Sequence, residues 1–265
     1  MDMTIAASWI RKAGKHEELV FASDSRLRCY GSWDANPKIF PLERTDCAIS
    51  FAGDTTFSYP LMTQIQFFIK SYPKSQNRFQ DLCHFKGHLL NMINYTLSFK
   101  SDFEIPDLKF LFGGYSWERK RFFLWHIFFD KNINKFSASE VRTWKGIKVN
   151  RVVSFIGDYH QEFQERLIKL MKDRHKFING YFDMEPFEVL VQMIREKSFE
   201  KIGGSPQLLK IYEHMNRSPI AVKWNIGKKE FISLLGRPLQ DYETSNYPII
   251  DPDTLEIDGG FIYGK

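Results

Sequence analysis

The chain has 265 residues, 43% of them hydrophobic and 16% aromatic, so it can bury a substantial core and is not expected to be disordered. Its formal net charge of +5 comes from scattered lysines and arginines rather than from a basic stripe, which argues against nucleic-acid binding. No apolar run reaches the length of a membrane span and the first eight residues do not resemble a signal peptide, so we expect a soluble, cytoplasmic protein.

The N-terminal half alternates short strands with two helices. Residues 57–72 and 82–93 carry apolar side chains three or four positions apart, which predicts two helices that each bury one stripe. Pro73 ends the first of them. The strands predicted here span residues 4–10, 18–24, 39–42 and 47–51.

The C-terminal half repeats this order, with strands followed by two helices and further strands. Apolar stripes predict helices over residues 158–177 and 187–194. Residues 236–265 are rich in Pro, Asp, Gly and Thr and show little periodicity, which favours a C-terminal extension rather than a second domain. The strands predicted in this half span residues 109–115, 121–129, 151–156, 207–213, 220–224 and 230–234.

The order of the elements predicts an α+β fold. Two helix pairs that are separated by strands cannot bury their stripes in a bundle, but they can cover the outer faces of two stacked sheets. We therefore predict a four-layer α/β/β/α sandwich with one domain over residues 4–235 and an extension over residues 236–265.

Two groups of residues are of types that bind metals or take part in redox chemistry. Cys29, Cys47 and Cys83 are few, odd in number and not in metal-ligand spacing, which is typical of a reducing cytosol. His84 and His88 are four residues apart and could share a helix face, but no third ligand is evident and a solvated face is the simpler interpretation. We therefore predict no metal and no cofactor.

Four short motifs occur in order along the first part of the chain. They are Thr4-Ile5-Ala6-Ala7, Phe21-Ala22-Ser23-Asp24-Ser25-Arg26, Pro37-Lys38-Ile39-Phe40 and Ser50-Phe51-Ala52-Gly53-Asp54. In these motifs and their spacing the chain resembles proteasome β subunits and the bacterial proteasome-like peptidase HslV, which belong to the Ntn hydrolase superfamily. Weaker similarities, at residues 111–115, 155–158 and 201–204, extend this resemblance to about residue 224.

The resemblance implies an N-terminal-threonine amide hydrolase, a threonine protease without a cofactor. Thr4 would be the nucleophile, and its own α-amino group, if residues 1–3 were removed, would be the base. Lys38 would stabilise the threonine oxygen, Asp24 would orient Lys38, and the backbone N–H of Gly53 would bind the oxyanion. The resemblance further implies a peptide or protein substrate, a homo-oligomeric ring and a separate ATPase or regulatory partner.

Three positions depart from the family pattern and keep other functions open. Met3 stands where self-cleaving members carry glycine, Asp158 stands where a serine is expected, and Glu200 stands one position away from the expected acid. One alternative is therefore a catalytically inactive structural or regulatory subunit, and another is an amidase for a small non-peptide amide. The extension could wrap a neighbouring subunit or pack on its own domain.

Overall fold

The computed structural model describes residues 4–28, 31–76, 79–101, 107–144, 151–196, 198–227 and 229–259. Residues 1–3 and Cys29, which figured in the sequence predictions, lie outside these ranges. The strands are β1 (Ile5–Ala13), β2 (His16–Ser23), β3 (Leu27–Arg28), β4 (Ser32–Trp33), β5 (Ile39–Pro41), β6 (Cys47–Gly53), β7 (Leu108–Ser116), β8 (Arg121–Asp130), β9 (Lys135–Glu140), β10 (Val153–Gly157), β11 (Gln207–Tyr212), β12 (Arg217–Ile226), β13 (Lys229–Leu234), β14 (Arg237–Pro238), β15 (Ile249–Ile250) and β16 (Ile257–Asp258). The helices are α1 (Thr55–Ser71), α2 (Pro73–Gln76), α3 (Leu82–Leu97), α4 (His160–Asp173) and α5 (Glu185–Arg195).

The larger sheet contains nine of these strands. Seven of them follow the order β10-β1-β2-β11-β12-β13-β14, all antiparallel, and β15 joins β12 in parallel and then pairs with β16. In β1 the apolar residues alternate between two faces, because Ile5, Ala7 and Trp9 contact one core cluster and Ala6 contacts another. Both faces of this sheet are therefore buried at its centre.

The smaller sheet has five antiparallel strands in the order β5-β6-β7-β8-β9. Its aromatic side chains pack against α1 and α3, as in the pairs Phe51–Tyr59 and Phe85–Phe112. Helices α4 and α5 pack against the larger sheet through Phe163, Leu167 and Leu190. A third cluster, which includes Phe21, Ile39, Leu111 and Leu209, lies between the two sheets.

Sequence patterns located most of the long elements. The predicted helices over 57–72, 82–93, 158–177 and 187–194 correspond to α1, α3, α4 and α5. Helix α1 begins where expected because the Asp54 side chain accepts a hydrogen bond from the N–H of Thr56 at its N-terminus. Within the described ranges no helix is both long and apolar enough to cross a membrane.

The predicted fold class, a four-layer α/β/β/α sandwich, is wrong. Strands account for 37% of the described residues and helices for 26%, so large antiparallel sheets dominate and helices are the minority. The described residues contain five helices, and α2 is only one turn long. The sequence prediction underestimated the strand content because residues 237–258, predicted as part of an extension, add three two-residue strands, β14, β15 and β16, to the larger sheet.

Candidate functional site

Thr4, Asp24 and Lys38 come together where three strands begin or end. Thr4 immediately precedes β1, Asp24 immediately follows β2, and Lys38 immediately precedes β5. Because β1 and β2 are antiparallel, with Ala6 opposite Ser23, the start of one strand lies beside the end of the other. Strand β5 belongs to the other sheet, so Lys38 bridges the two sheets at this point.

The carboxylate of Asp24 is the centre of this cluster. Its Oδ1 accepts hydrogen bonds from Lys38 Nζ at 2.8 Å and from the N–H of Ile5 at 3.2 Å. Its Oδ2 accepts from the N–H groups of Arg26 and Gly203, both at 3.1 Å. Burial raises the pKa of Asp24, while the Lys38 ammonium and the backbone donors act in the opposite direction. Four donors thus compensate a charge that has no contact with solvent.

Lys38 is as fully buried as Asp24, and its backbone is held on both sides. Its N–H donates to Gln207 Oε1 at 3.0 Å, and its carbonyl accepts from the N–H of Phe51 at 3.2 Å. The Nε2 of Gln207 donates to the carbonyl oxygens of Asp24 and Asn36 at 2.9 and 2.8 Å. Gln207, a residue that the sequence interpretation did not single out, therefore fixes both members of the ion pair.

The backbone of Thr4 lies close to this ion pair, because the residue that follows it, Ile5, donates its N–H to the Asp24 carboxylate. Only 1% of Thr4 is exposed, and its Oγ1 has no hydrogen-bond partner among the described residues. Its carbonyl oxygen accepts from the N–H of Asp158 at 3.2 Å. A buried hydroxyl without a partner is uncommon in folded proteins, and the Oγ atoms of Ser50 and Ser58 share this property.

Gly53 lies at the end of β6, two residues beyond Phe51, at the turn into α1. Its φ is +114°, and a Cβ at this position would lie 2.0 Å from the carbonyl oxygen of Asp107. That carbonyl accepts from the N–H of Asp54 at 2.9 Å. The turn geometry and this close approach explain the glycine without reference to catalysis.

The same turn occurs a second time, and there it contacts Thr4. Gly157 ends β10 with φ +112°, and a Cβ on it would lie 1.7 Å from the Thr4 carbonyl oxygen. The sequences around the two glycines are alike, Phe-Ala-Gly-Asp at 51–54 and Phe-Ile-Gly-Asp at 155–158. Both turns therefore use a glycine and the following N–H to hold one carbonyl oxygen, which in the second case positions Thr4.

Two acids from the sequence interpretation take other roles. The Glu200 carboxylate pairs with Arg28 at 3.3 Å on the surface and does not join Asp24. Asp158 contributes its backbone N–H to Thr4, as described above. The neighbouring glycine pair does reach the site, because the N–H of Gly203 binds Asp24 and a Cβ there would lie 2.4 Å from Arg26 Cζ.

A cavity lies against the outer side of this cluster. It has a volume of about 590 Å³ and is lined by Arg26, Gly203 and Gly204, among others, but not by Thr4, Lys38 or Gly53. Arg26 closes this side of the cluster through hydrogen bonds of 2.7 and 2.8 Å to the Asp34 carboxylate. The Thr4 hydroxyl is therefore shielded from this cavity in the chain as it stands.

The histidines and cysteines that the sequence offered as metal or redox candidates pack within the fold. The ring of His88 stacks on Tyr72 with centroids 6.4 Å apart. Cys47 is buried, which raises the pKa of its thiol well above the ordinary value, and Cys83 is partly buried beside Asp81. Across the described ranges, no three His, Cys, Asp or Glu side chains meet in a way that could hold a metal ion.

In comparisons with known proteins, the chain matches no family model and no curated protein.

Proposed function

We propose that this protein is an N-terminal-threonine amide hydrolase that acts on peptide bonds. The observation that carries the proposal is the buried Lys38–Asp24 pair, at 2.8 Å, whose carboxylate also binds the N–H next to Thr4. A fully buried ion pair is costly to form, and such groups concentrate at sites where a charge is needed for chemistry. The motif resemblance to proteasome β subunits supports the same roles for these residues.

The proposed reaction begins once Thr4 is the first residue. Its hydroxyl adds to the carbonyl carbon of the amide, and the hydroxyl proton passes to the free α-amino group, whose pKa of about 7.7–8.0 suits a base at neutral pH. The ammonium of Lys38 stabilises the negative charge that develops on Oγ1. The N–H of Gly53 is proposed to donate to the tetrahedral oxyanion, a contact worth roughly 3–4 kcal/mol.

The second half of the reaction returns the enzyme to its starting state. The protonated α-amino group gives its proton to the leaving amine as the C–N bond breaks, which leaves an ester on Thr4. Water then adds to this ester, with the same α-amino group as base, and the acid product leaves. The buried hydroxyl without a partner is consistent with a group whose hydrogen bonds form only with substrate or with the freed amine.

A second candidate function is a catalytically inactive subunit of an oligomer. It is favoured by the burial of Thr4, which is 1% exposed and follows three residues whose presence blocks its amine. In that case the ion pair would only connect the two sheets. We propose a cytosolic location and a homo-oligomeric assembly for either function, on the grounds of the sparse cysteines and the motif resemblance.

Intact-mass analysis combined with an amidase assay separates the two candidates. A protein released from a cleavable tag so that it starts at Thr4 should hydrolyse fluorogenic peptide amides, and Thr4→Ala should abolish this without loss of folding. Thr63→Ala, on the exposed face of α1, is a matched control that should keep full activity. A retained Met1-Asp2-Met3 in the purified protein, with no activity after its removal, would favour the inactive subunit.

A further inference from the structure

Helix α3 presents a stripe of exposed side chains along its outer face. The exposed positions of the stripe, which continues just past the last turn of the helix, are His84, His88, Asn91, Tyr95, Ser98 and Phe99. None of them is a Lys, Arg, Asp or Glu. The first five are alternately four and three residues apart, which is the spacing of a seam between two packed helices.

The two helix layers of the protein differ in surface charge. Of the exposed residues of α1, which lies beside α3 and is described throughout, only Lys70 is charged, and it pairs with Glu43 at 3.0 Å. In α4, on the larger sheet, four of the six exposed residues are charged, namely Glu165, Lys169, Lys172 and Asp173. An outer face that has exposed aromatic rings and few charges is typical of a protein–protein contact.

Two aromatic rings project from the C-terminal end of the stripe. Tyr95 and Phe99 are 69% and 73% exposed, and their ring centroids lie 5.1 Å apart in an edge-to-face arrangement. This contact restrains the two rings before any partner binds, so that less conformational entropy is lost on association.

A cavity lies at the N-terminal end of the same stripe. It has a volume of about 470 Å³, and His84, His88, Tyr72 and Phe79 contribute rings to its lining. The ring of His88 stacks on Tyr72, and Lys74, which also lines the cavity, places its Nζ 5.7 Å from the centroid of Phe79. The cavity therefore offers flat ring surfaces to an incoming aromatic side chain.

The projecting rings and the cavity lie on opposite sides of the middle of α3. His88 is three residues before Asn91 and Tyr95 is four residues after it, so each lies about 5 Å from the midpoint along the helix axis. His84 and Phe99 are similarly placed, seven residues before Asn91 and eight after it. A second copy with its α3 antiparallel would place Tyr95 of each copy on His88 of the other, and Phe99 on His84. This is the self-complementarity that a two-fold contact requires.

The face is large enough for a reversible dimer. Helix α3 is about 24 Å long, and together with α1 it forms a face about 20 Å wide, or roughly 500 Å² in each copy. A two-fold contact would thus bury roughly 1,000 Å² in total, which is the lower limit for a specific interface.

We propose that the outer face of α1 and α3 is the contact surface of a two-fold dimer, in which Tyr95 and Phe99 of each copy enter the cavity of the other. The inference rests on the homo-oligomeric assembly proposed above and names its surface. It does not depend on Thr4 or on the hydrolase chemistry.

Sedimentation equilibrium of the full chain, from micromolar to millimolar concentration, tests the proposal. We expect a reversible equilibrium between monomer and dimer. Tyr95→Arg should raise the dissociation constant by about tenfold or more, because it removes a projecting ring and places a charge against the rings of the cavity. Tyr242→Arg, the same substitution at a tyrosine that is 86% exposed, is the matched control and should leave the dissociation constant unchanged.

Mixing Tyr95→Arg with His88→Glu tests the pairing itself. The two introduced side chains have opposite charges and would meet in the proposed dimer, so the mixture should associate at least about tenfold more tightly than either variant alone. A chain that stays monomeric, a dimer that Tyr95→Arg weakens no more than Tyr242→Arg does, or a mixture no tighter than its components would each overturn the proposal. Amide hydrolysis by a monomeric protein that starts at Thr4 would overturn the contact surface alone, and a dimer without turnover would overturn the hydrolase alone.

Discussion

Replacing Lys38 by methionine is expected to destabilise the protein strongly, because it leaves the buried Asp24 carboxylate without its counter-ion. Both side chains are 0% exposed, and breaking such a pair costs about 3–5 kcal/mol. The lower end applies here because Asp24 keeps the N–H donors of Ile5, Arg26 and Gly203. We therefore expect a loss of about 3 kcal/mol, which corresponds to a decrease in Tm of about 6–12 °C for a chain of this size.

Urea unfolding followed by circular dichroism measures this change at pH 7. Lys223→Met is the matched control, because Lys223 pairs with Asp258 at 3.3 Å on the surface, and its loss should cost less than about 0.5 kcal/mol. Combining Lys38→Met with Asp24→Asn should restore part of the loss, with a coupling energy of about 2 kcal/mol. A loss equal to that of the control, or additive effects of the two substitutions, would refute the interpretation of a tightly coupled buried pair.

Two further substitutions test the turn that holds Thr4 and the partly buried histidine at the β8–β10 contact. Gly157→Ala should lower the free energy of unfolding by about 3 kcal/mol, because a φ of +112° is strained for alanine and the Cβ would overlap the Thr4 carbonyl oxygen. The control Gly87→Ala, in α3 with open space around it, should instead raise the free energy of unfolding by about 0.5–1 kcal/mol. Equal effects of the two substitutions in denaturant unfolding would contradict the turn geometry. Burial, with Lys109 adding to it, lowers the pKa of His126, which contacts Ser154 Oγ, so the stability from this residue is complete above the ordinary histidine pKa of about 6.5 and is lost as pH falls through the lowered value. His126→Gln should therefore lose less stability than the unaltered protein between pH 7 and pH 5, and parallel pH profiles in urea unfolding would show that His126 does not contribute.

The long helices and strands were predicted well because the pattern of apolar residues that identifies each one lies within a single segment of the chain. The apolar stripe of Leu61, Ile65 and Ile69 is buried in α1, and the apolar run of β8 is buried at a sheet contact, as periodicity indicated. The two-residue strands were missed because such short segments show no strand period. This holds whether the partner is near in sequence, as for Ser233 and Pro238, or distant, as for Ala221 and Ile249.

The candidate site was predicted in part. The motif resemblance selected Asp24 and Lys38, and these two residues are in contact. It included the segment 201–204 as a weaker similarity, but it did not select Gln207, which reaches the site from the C-terminal half through side-chain hydrogen bonds that have no sequence pattern. It also did not indicate that Thr4 is buried, since burial of a chain-end residue depends on the turn at Gly157.

The most direct test of the proposed hydrolase is the chemistry of Thr4 itself. A protein released so that it begins at Thr4 is incubated with a panel of fluorogenic peptide amides, and an acylated form is sought by rapid acid quench and intact-mass analysis. We expect turnover and an ester adduct on the N-terminal peptide, and neither in Thr4→Ala or in folded Lys38→Met. Turnover that survives in Thr4→Ala, or no turnover and no adduct in a folded protein with a free Thr4, would contradict the proposed mechanism.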